Sequence, residues 1–203
     1  MSRTLLLALL VLSLLVGFCR PAGSYDLGLH LRLGEEISLS VDIPRSDAHS
    51  YTAEGAPFQA HEWLCQLLFR AVPRSGGMAG ISLLAAVAAA AAFLLLLPAL
   101  GADRRIAILI LLWIVPLAGA HFGARPHVLG WLMLTLLLLG CARGWRWSLP
   151  LLLALWANLH GSFLLGALWG SLHFLERFTS SRRRGELGWA LACLAAPLAN
   201  PYG

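Results

Sequence analysis

Ten residues of this chain have side chains suited to work on a polar substrate: Asp26, His30, His61, Glu62, Arg125, His127, Asn158, His160, Asn200 and Tyr202. Asp26 and His30 stand four apart, so a helix puts both on one face. A carboxylate beside an imidazole can act as a base, orient a hydroxyl or bind a metal; the same spacing also suits a surface ion pair. His61-Glu62-Trp63 opens a helical pattern, and Cys65 occupies the place where H-E-x-x-H needs its second histidine, which excludes a zincin. Glu62 in a first turn suits the helix dipole and Trp63 suits a membrane interface, so cap and anchor is the plain reading of this pair. Arg125-Pro126-His127 lies between two apolar runs. Guanidinium there binds phosphate or carboxylate through paired charge-assisted bonds, or simply meets a lipid headgroup. Asn158 and His160 sit at the end of another apolar run, where polar groups are costly unless they face a cavity or a partner. Helix–helix hydrogen bonding by Asn158, and a helix-ending turn at Asn200-Pro201-Tyr202-Gly203, are the structural alternatives. A zinc reading would use His61, His121, His127 and His160, none of them at a diagnostic spacing.

The elements that must carry these residues are apolar helices. The chain is 59% hydrophobic and 12% charged, far from a soluble globular composition. Runs such as Leu83–Leu97 and Val128–Leu139 hold no charge, and about 20 apolar residues cross a bilayer. The expected fold is an all-α integral membrane bundle of about seven spans. Thr4–Cys19 forms the first span as an uncleaved signal anchor, and residues 20–74 form one large polar loop. The remaining spans are expected near Met78–Leu100, Ile106–Ala120, Pro126–Ala142, Leu149–Leu159, Phe163–Phe178 and Leu187–Leu198. Leu149–Leu159 is short and could run on into the next span or form a re-entrant pair with it. Within the loop, two amphipathic interfacial helices are expected near Asp26–Ser38, with Leu27, Leu31 and Ile37 apolar, and near Ala60–Val72, with a stripe of Leu64, Leu67, Leu68 and Val72. A small hairpin is expected over Tyr51–Phe58. The Ala85–Ala92 tract suits close helix packing, and His173 reads as a packed or snorkelling residue.

All positive side-chain charge outside histidine is arginine. With alternating spans, Arg3, Arg104, Arg105, Arg143, Arg146, Arg177 and Arg182–Arg184 share one side, which the positive-inside rule makes cytoplasmic. The ten residues above then all face outward, toward a site on one membrane face. Arginines that flank spans argue against nucleic-acid binding and for membrane lipid as partner. The four cysteines show neither metal-ligand spacing nor a disulfide framework, although Cys19 and Cys65 could meet.

Several stretches resemble a family: Asp26-Leu27-Gly28-Leu29-His30-Leu31-Arg32-Leu33-Gly34-Glu35, Pro44-Arg45-Ser46-Asp47, Ser50-Tyr51-Thr52-Ala53 and His61-Glu62-Trp63-Leu64. Arg125-Pro126-His127, Trp156-Ala157-Asn158-Leu159-His160-Gly161 and Ala199-Asn200-Pro201-Tyr202-Gly203 continue the likeness. In this order they are similar to GT-C-type bacterial membrane glycosyltransferases, which take sugar from a polyprenyl-phosphate carrier. The resemblance implies a bacterial inner-membrane enzyme with its first loop extracytoplasmic, an inverting displacement and no cofactor. It implies Asp26 as base or acceptor-positioning group, with His30, His61 and Glu62 beside it at motif positions. Arg125 and His127 would take the donor phosphate, with Asn158, His160, Asn200 and Tyr202 lining the site. Members run longer, so an N-terminal portion is expected. At Gly28-Leu29 the chain departs from an aromatic pair common in the family. Two other readings stand beside this one: a non-catalytic protein that binds or moves a lipid-linked glycan, and a membrane assembly subunit.

Overall fold

Uncharged runs of leucine, isoleucine and alanine can satisfy their backbone N–H and C=O groups locally only by coiling into helices. A computed structural model describes residues 3–18, 25–101, 103–121 and 123–202 and is all-helical. Its α-helices are α1 (Arg3–Phe18), α2 (Leu27–Ser40), α3 (Trp63–Ala71), α4 (Pro73–Ala99), α5 (Arg104–Ala118), α6 (Pro126–Arg143), α7 (Ser148–Leu159), α8 (Phe163–Ser181) and α9 (Arg184–Ala195). Single 3₁₀ turns follow α5 and α9, at Gly119–His121 and Ala196–Leu198.

α4 is the central element, packed against α1 on one side and α6 on the other. Its alanine tract is the reason: Ala85, Ala86, Ala88, Ala89, Ala90 and Ala92 are all buried, and small side chains let two neighbours approach closely. Gly77 breaks the start of α4 at φ 59° and ψ −154°, a conformation that suits glycine alone, so the long straight segment begins at Met78. α7 and α8 pack on α6 and on each other, and α9 pairs with α8. The α8–α9 seam is tied by the Ser171 hydroxyl, which donates to the Ala190 carbonyl at 3.1 Å. At the end of the bundle near the Arg146 loop, buried Glu186 of α9 is paired with Arg146 at 3.1 Å and with Arg177 at 3.2 Å.

Among the described residues, two helices are long and apolar enough to cross a membrane, Gly76–Ala99 and Pro126–Arg143. Thr4–Val16, Arg105–Ala118 and Ser148–Leu159 are apolar but shorter; at 1.5 Å per residue a 12-residue helix such as α7 reaches only about 18 Å. α7 and α8 are not one continuous helix. His160 between them is extended, at φ −163° and ψ 141°, which turns the chain sharply at the polar end.

The loop departs from expectation in its hairpin. Backbone pairing joins residues 45–47 to 56–58, with a bridge between Ser46 and Pro57, rather than folding Tyr51–Phe58 on itself. Asp47 drives this pairing: its side chain accepts from the backbone of His49 and Ser50, closing the turn further out. In α3 the buried residues are Cys65, Gln66 and Phe69, while Leu68 of the expected stripe is exposed. The cause is Gly34 of α2. A Cβ there would collide with the Gln66 carbonyl, and its absence lets α2 settle on that side of α3. Arg70 then reaches Glu35 across the seam at 3.3 Å. α2 buries Leu27, Leu33 and Ile37, with Leu31 only partly covered. Cys65 is a buried free thiol, its pKa pushed up by burial; its suggested partner Cys19 lies outside the described residues.

Candidate functional site

Segments far apart in the chain meet at one end of the bundle. Asn158, at the end of α7, is the central tie. Its side-chain oxygen accepts from the Trp63 indole N–H at 2.7 Å, and its amide donates to the carbonyls of Ala199 at 2.9 Å and Ala154 at 2.7 Å. One buried amide thereby joins the start of α3, the end of α7 and the turn after α9. Tyr202 closes the same region, its hydroxyl accepting from the Ala60 N–H at 2.7 Å. Arg45 lies 5.7 Å from the centre of the Tyr202 ring and donates to the Pro201 carbonyl at 3.2 Å. Asn200 serves its own turn, bonding the Pro197 carbonyl and the Tyr202 N–H. Asn158, Asn200 and Tyr202 therefore have fully stated structural duties.

Glu62 is the centre of the titratable groups. Only 14% of its side chain is exposed, and three imidazoles surround it: His160 Nε2 at 3.5 Å, His30 Nε2 at 3.8 Å and His61 Nε2 at 3.8 Å. His30 comes from α2, His61 and Glu62 from the turn before α3, and His160 from the break between α7 and α8. Burial raises the Glu62 pKa and the Asp26 charge adds to the rise, while His61 opposes it. Burial lowers His30, against the pull of Asp26; His61 and Arg125 reinforce the lowering. His160 is lowered to about 4 by burial, with His127 and His61 adding to the effect. The result is an imidazole-lined carboxyl, with His30 and His160 neutral at pH 7. Buried His30 Nδ1 has no hydrogen-bond partner among the described residues, and the ring sits edge-on to Phe69.

Asp26 and His30 share a helix end as their spacing predicts, but Asp26 turns to Arg125, 3.7 Å away, and 57% of its side chain is exposed. The residues at positions 26 and 125 thus juxtapose a carboxylate and a guanidinium at the rim. His127 does not join the Glu62 group. Its Nε2 bonds the His121 carbonyl at 2.8 Å, and its ring lies 6.5 Å from that of His160. His121 meets His127 through its backbone, so the four histidines of the zinc reading do not form one cluster. His173 is half-buried on α8 beside Phe174, away from this end.

Two features were not singled out from sequence. Ser162 follows His160 by two residues and bonds its ring; a serine at a helix start reads as an N-cap, yet its side chain caps nothing. Beside it, a cavity of about 590 Å³ runs between α6 and α8, lined by His127, His160 and Ser162 at one end and by residues such as Trp131, Leu138 and Leu168.

The fold and the site define an all-helical chain with a histidine–carboxylate cluster at one end. The chain matches no protein-family model, no curated protein and no solved structure.

Proposed function

We propose that this chain is a glycosyltransferase-like integral membrane protein of GT-C type, transferring sugar from a polyprenyl-phosphate donor to an extracytoplasmic acceptor. The observation that carries the reading is the Asp26–Arg125 pair at 3.7 Å, on the rim beside the Glu62 cluster. A base and an anion receptor side by side are what an inverting displacement needs. The acceptor oxygen attacks the anomeric carbon, the bond to phosphate breaks, and the acceptor proton passes to Asp26. Arg125 neutralises the departing phosphate through charge-assisted hydrogen bonds. Phosphate arriving at Arg125 competes with Asp26 for the guanidinium, so donor binding itself frees the carboxylate to act as base.

The membrane part of the reading is a bundle of about seven spans in a bacterial inner membrane, the 20–74 loop outside. Large apolar side chains exposed on α1, α4, α5, α7, α8 and α9, among them Trp113 at 78% and Leu117 at 76%, support it. An apolar exterior of this extent is stable against lipid and not against water.

The test is transfer of sugar from a synthetic polyprenyl-phosphate sugar by the protein reconstituted in lipid. Asp26→Asn is expected to slow transfer by about 10²–10⁴-fold with the donor still bound. Donor binding unchanged in Asp26→Asn, with no turnover by wild type, would instead make the chain a non-catalytic binder of a lipid-linked glycan.

A further inference from the structure

We propose that Ser162 is a nucleophile, activated by His160 and Glu62, that accepts an acyl group from a long-chain acyl ester. Neither the sugar-transfer reading nor any motif in the sequence assigns Ser162 a role.

The proton positions follow from groups that can only donate. The Ser162 backbone N–H points at His160 Nδ1 at 3.2 Å, so that nitrogen carries a lone pair and the ring proton is on Nε2. Nε2 faces Glu62 Oε1 at 3.5 Å. The Trp156 indole N–H points at Ser162 Oγ at 3.2 Å, so the hydroxyl oxygen accepts there and turns its own proton elsewhere. That proton goes to His160 Nδ1, 2.7 Å from Oγ. The order is hydroxyl, imidazole, carboxylate, with the imidazole in the one tautomer that can take the serine proton.

Two further observations separate this from an ordinary turn. Ser162 stands at the N-cap position of α8 without capping it, so its hydroxyl is committed to the ring and the indole. Gly130 of α6 faces the pair, where a Cβ would lie 2.8 Å from Ser162 Oγ and 3.1 Å from His160 Nδ1. The helix is kept bare where the hydroxyl and the ring meet. Their common space opens on the cavity of about 590 Å³ between α6 and α8, whose remaining lining is dominated by leucine and tryptophan. An acyl chain fits that lining, with its carbonyl at the polar end.

In the reaction, Oγ attacks the ester carbonyl carbon as its proton moves to His160 Nδ1. The carbon–alkoxide bond of the donor breaks, and the alkoxide leaves with the proton from Nδ1. Water or an acceptor hydroxyl then attacks the acyl-serine, giving its proton to Nδ1, and the acid or new ester departs as that proton returns to Oγ. The oxyanion formed at each attack lies beside the first turn of α8, whose dipole favours negative charge.

The full chain in nanodiscs would be treated with a long-chain alkyl fluorophosphonate and mapped by tandem mass spectrometry. The expected result is one adduct on Ser162, absent in Ser162→Ala and formed roughly 10²-fold more slowly in His160→Gln. A p-nitrophenyl ester of a long-chain acid should be cleaved faster than the acetyl ester, and Gly130→Ala should slow both adduct formation and cleavage. Because the adduct is mapped on wild type, a variant that fails to fold does not blunt the test. Helical wild-type protein with no adduct on Ser162, or acetyl and long-chain esters cleaved alike, would overturn the proposal.

Discussion

His160 has a role in each reading, and its ionisation gives a direct handle on the site. Its pKa is about 4 in the folded chain against 6.5 for the free side chain, because burial and neighbouring histidines disfavour the cation. The sign follows from linkage: a group whose folded pKa is depressed resists proton uptake in the folded state, and the unfolded state binds the proton first. Its contribution is fully present above pH 6.5 and is lost as pH falls toward 4. His30 acts in the same direction, whereas Glu62, raised by burial, loses stability as pH climbs above its unfolded value of 4.5. The thermal midpoint in detergent should therefore fall on acidification from pH 6.5 toward 4, and His160→Asn should flatten that slope. An identical slope in the variant would remove His160 from the buried set. Asn158 makes a separate prediction at this scale. Asn158→Ala strands the Trp63 indole N–H and the Ala199 carbonyl, at a cost of about 1–3 kcal/mol for buried groups left unpaired. Equilibrium unfolding in detergent measures it, and a change near zero would mean that water already satisfies both.

At the scale of elements, the seam between α2 and α3 decides where the histidine of one helix meets the carboxylate before the other. Gly34 sets that distance. Gly34→Ala must push the helices apart, since the new methyl would collide with backbone and not with a flexible side-chain end. Overpacking of this kind costs about 1–3 kcal/mol. Hydrogen exchange should show α2 losing protection first, with α6 and α8 unchanged. Uniform loss across all helices would place the strain elsewhere. The same seam decides which side of α3 is buried in the bundle, a choice that the apolar stripe of an interfacial helix does not make. Leu68 fits the period, but the period only says that some face is apolar. Close approach of α2 and the Glu35–Arg70 pair choose the face carrying Cys65, Gln66 and Phe69.

For the molecule as a whole, two groups of charge lie in different parts of the bundle: the Glu62 cluster with the Asp26–Arg125 pair, and Glu186 with Arg146 and Arg177. The membrane reading puts the first outside and the second inside. Single cysteines at positions 54 and 183, in a background free of the native cysteines, test it in intact cells. A membrane-impermeant maleimide should label the first and spare the second. Equal labelling of both would remove the alternating topology. The exposed tryptophans on α5 and α8 give an independent check, since brominated lipid should quench Trp113 and Trp169 if those faces meet acyl chains.

Helical content and the approximate extents of most helices were legible in the chain itself. Charge-free apolar runs leave a backbone no local option but to coil, and Pro126 and Gly144 mark the two ends of α6 through chemistry that needs no neighbour. The ten candidate residues were legible as types, because polar groups are conspicuous in such a background. Their partnerships were not. Glu62 is surrounded by imidazoles from positions 30, 61 and 160, and no spacing rule joins position 62 to position 160. Ser162 was equally hidden, since a serine at a helix start reads as a cap until its hydroxyl is found bonded to the ring two residues back. Local backbone chemistry and hydropathy determine which segments coil, because those preferences act within a few residues. Which helix ends meet, which acid is buried and which proton sits on which nitrogen depend on contacts between distant segments, and those only the packed tertiary structure decides.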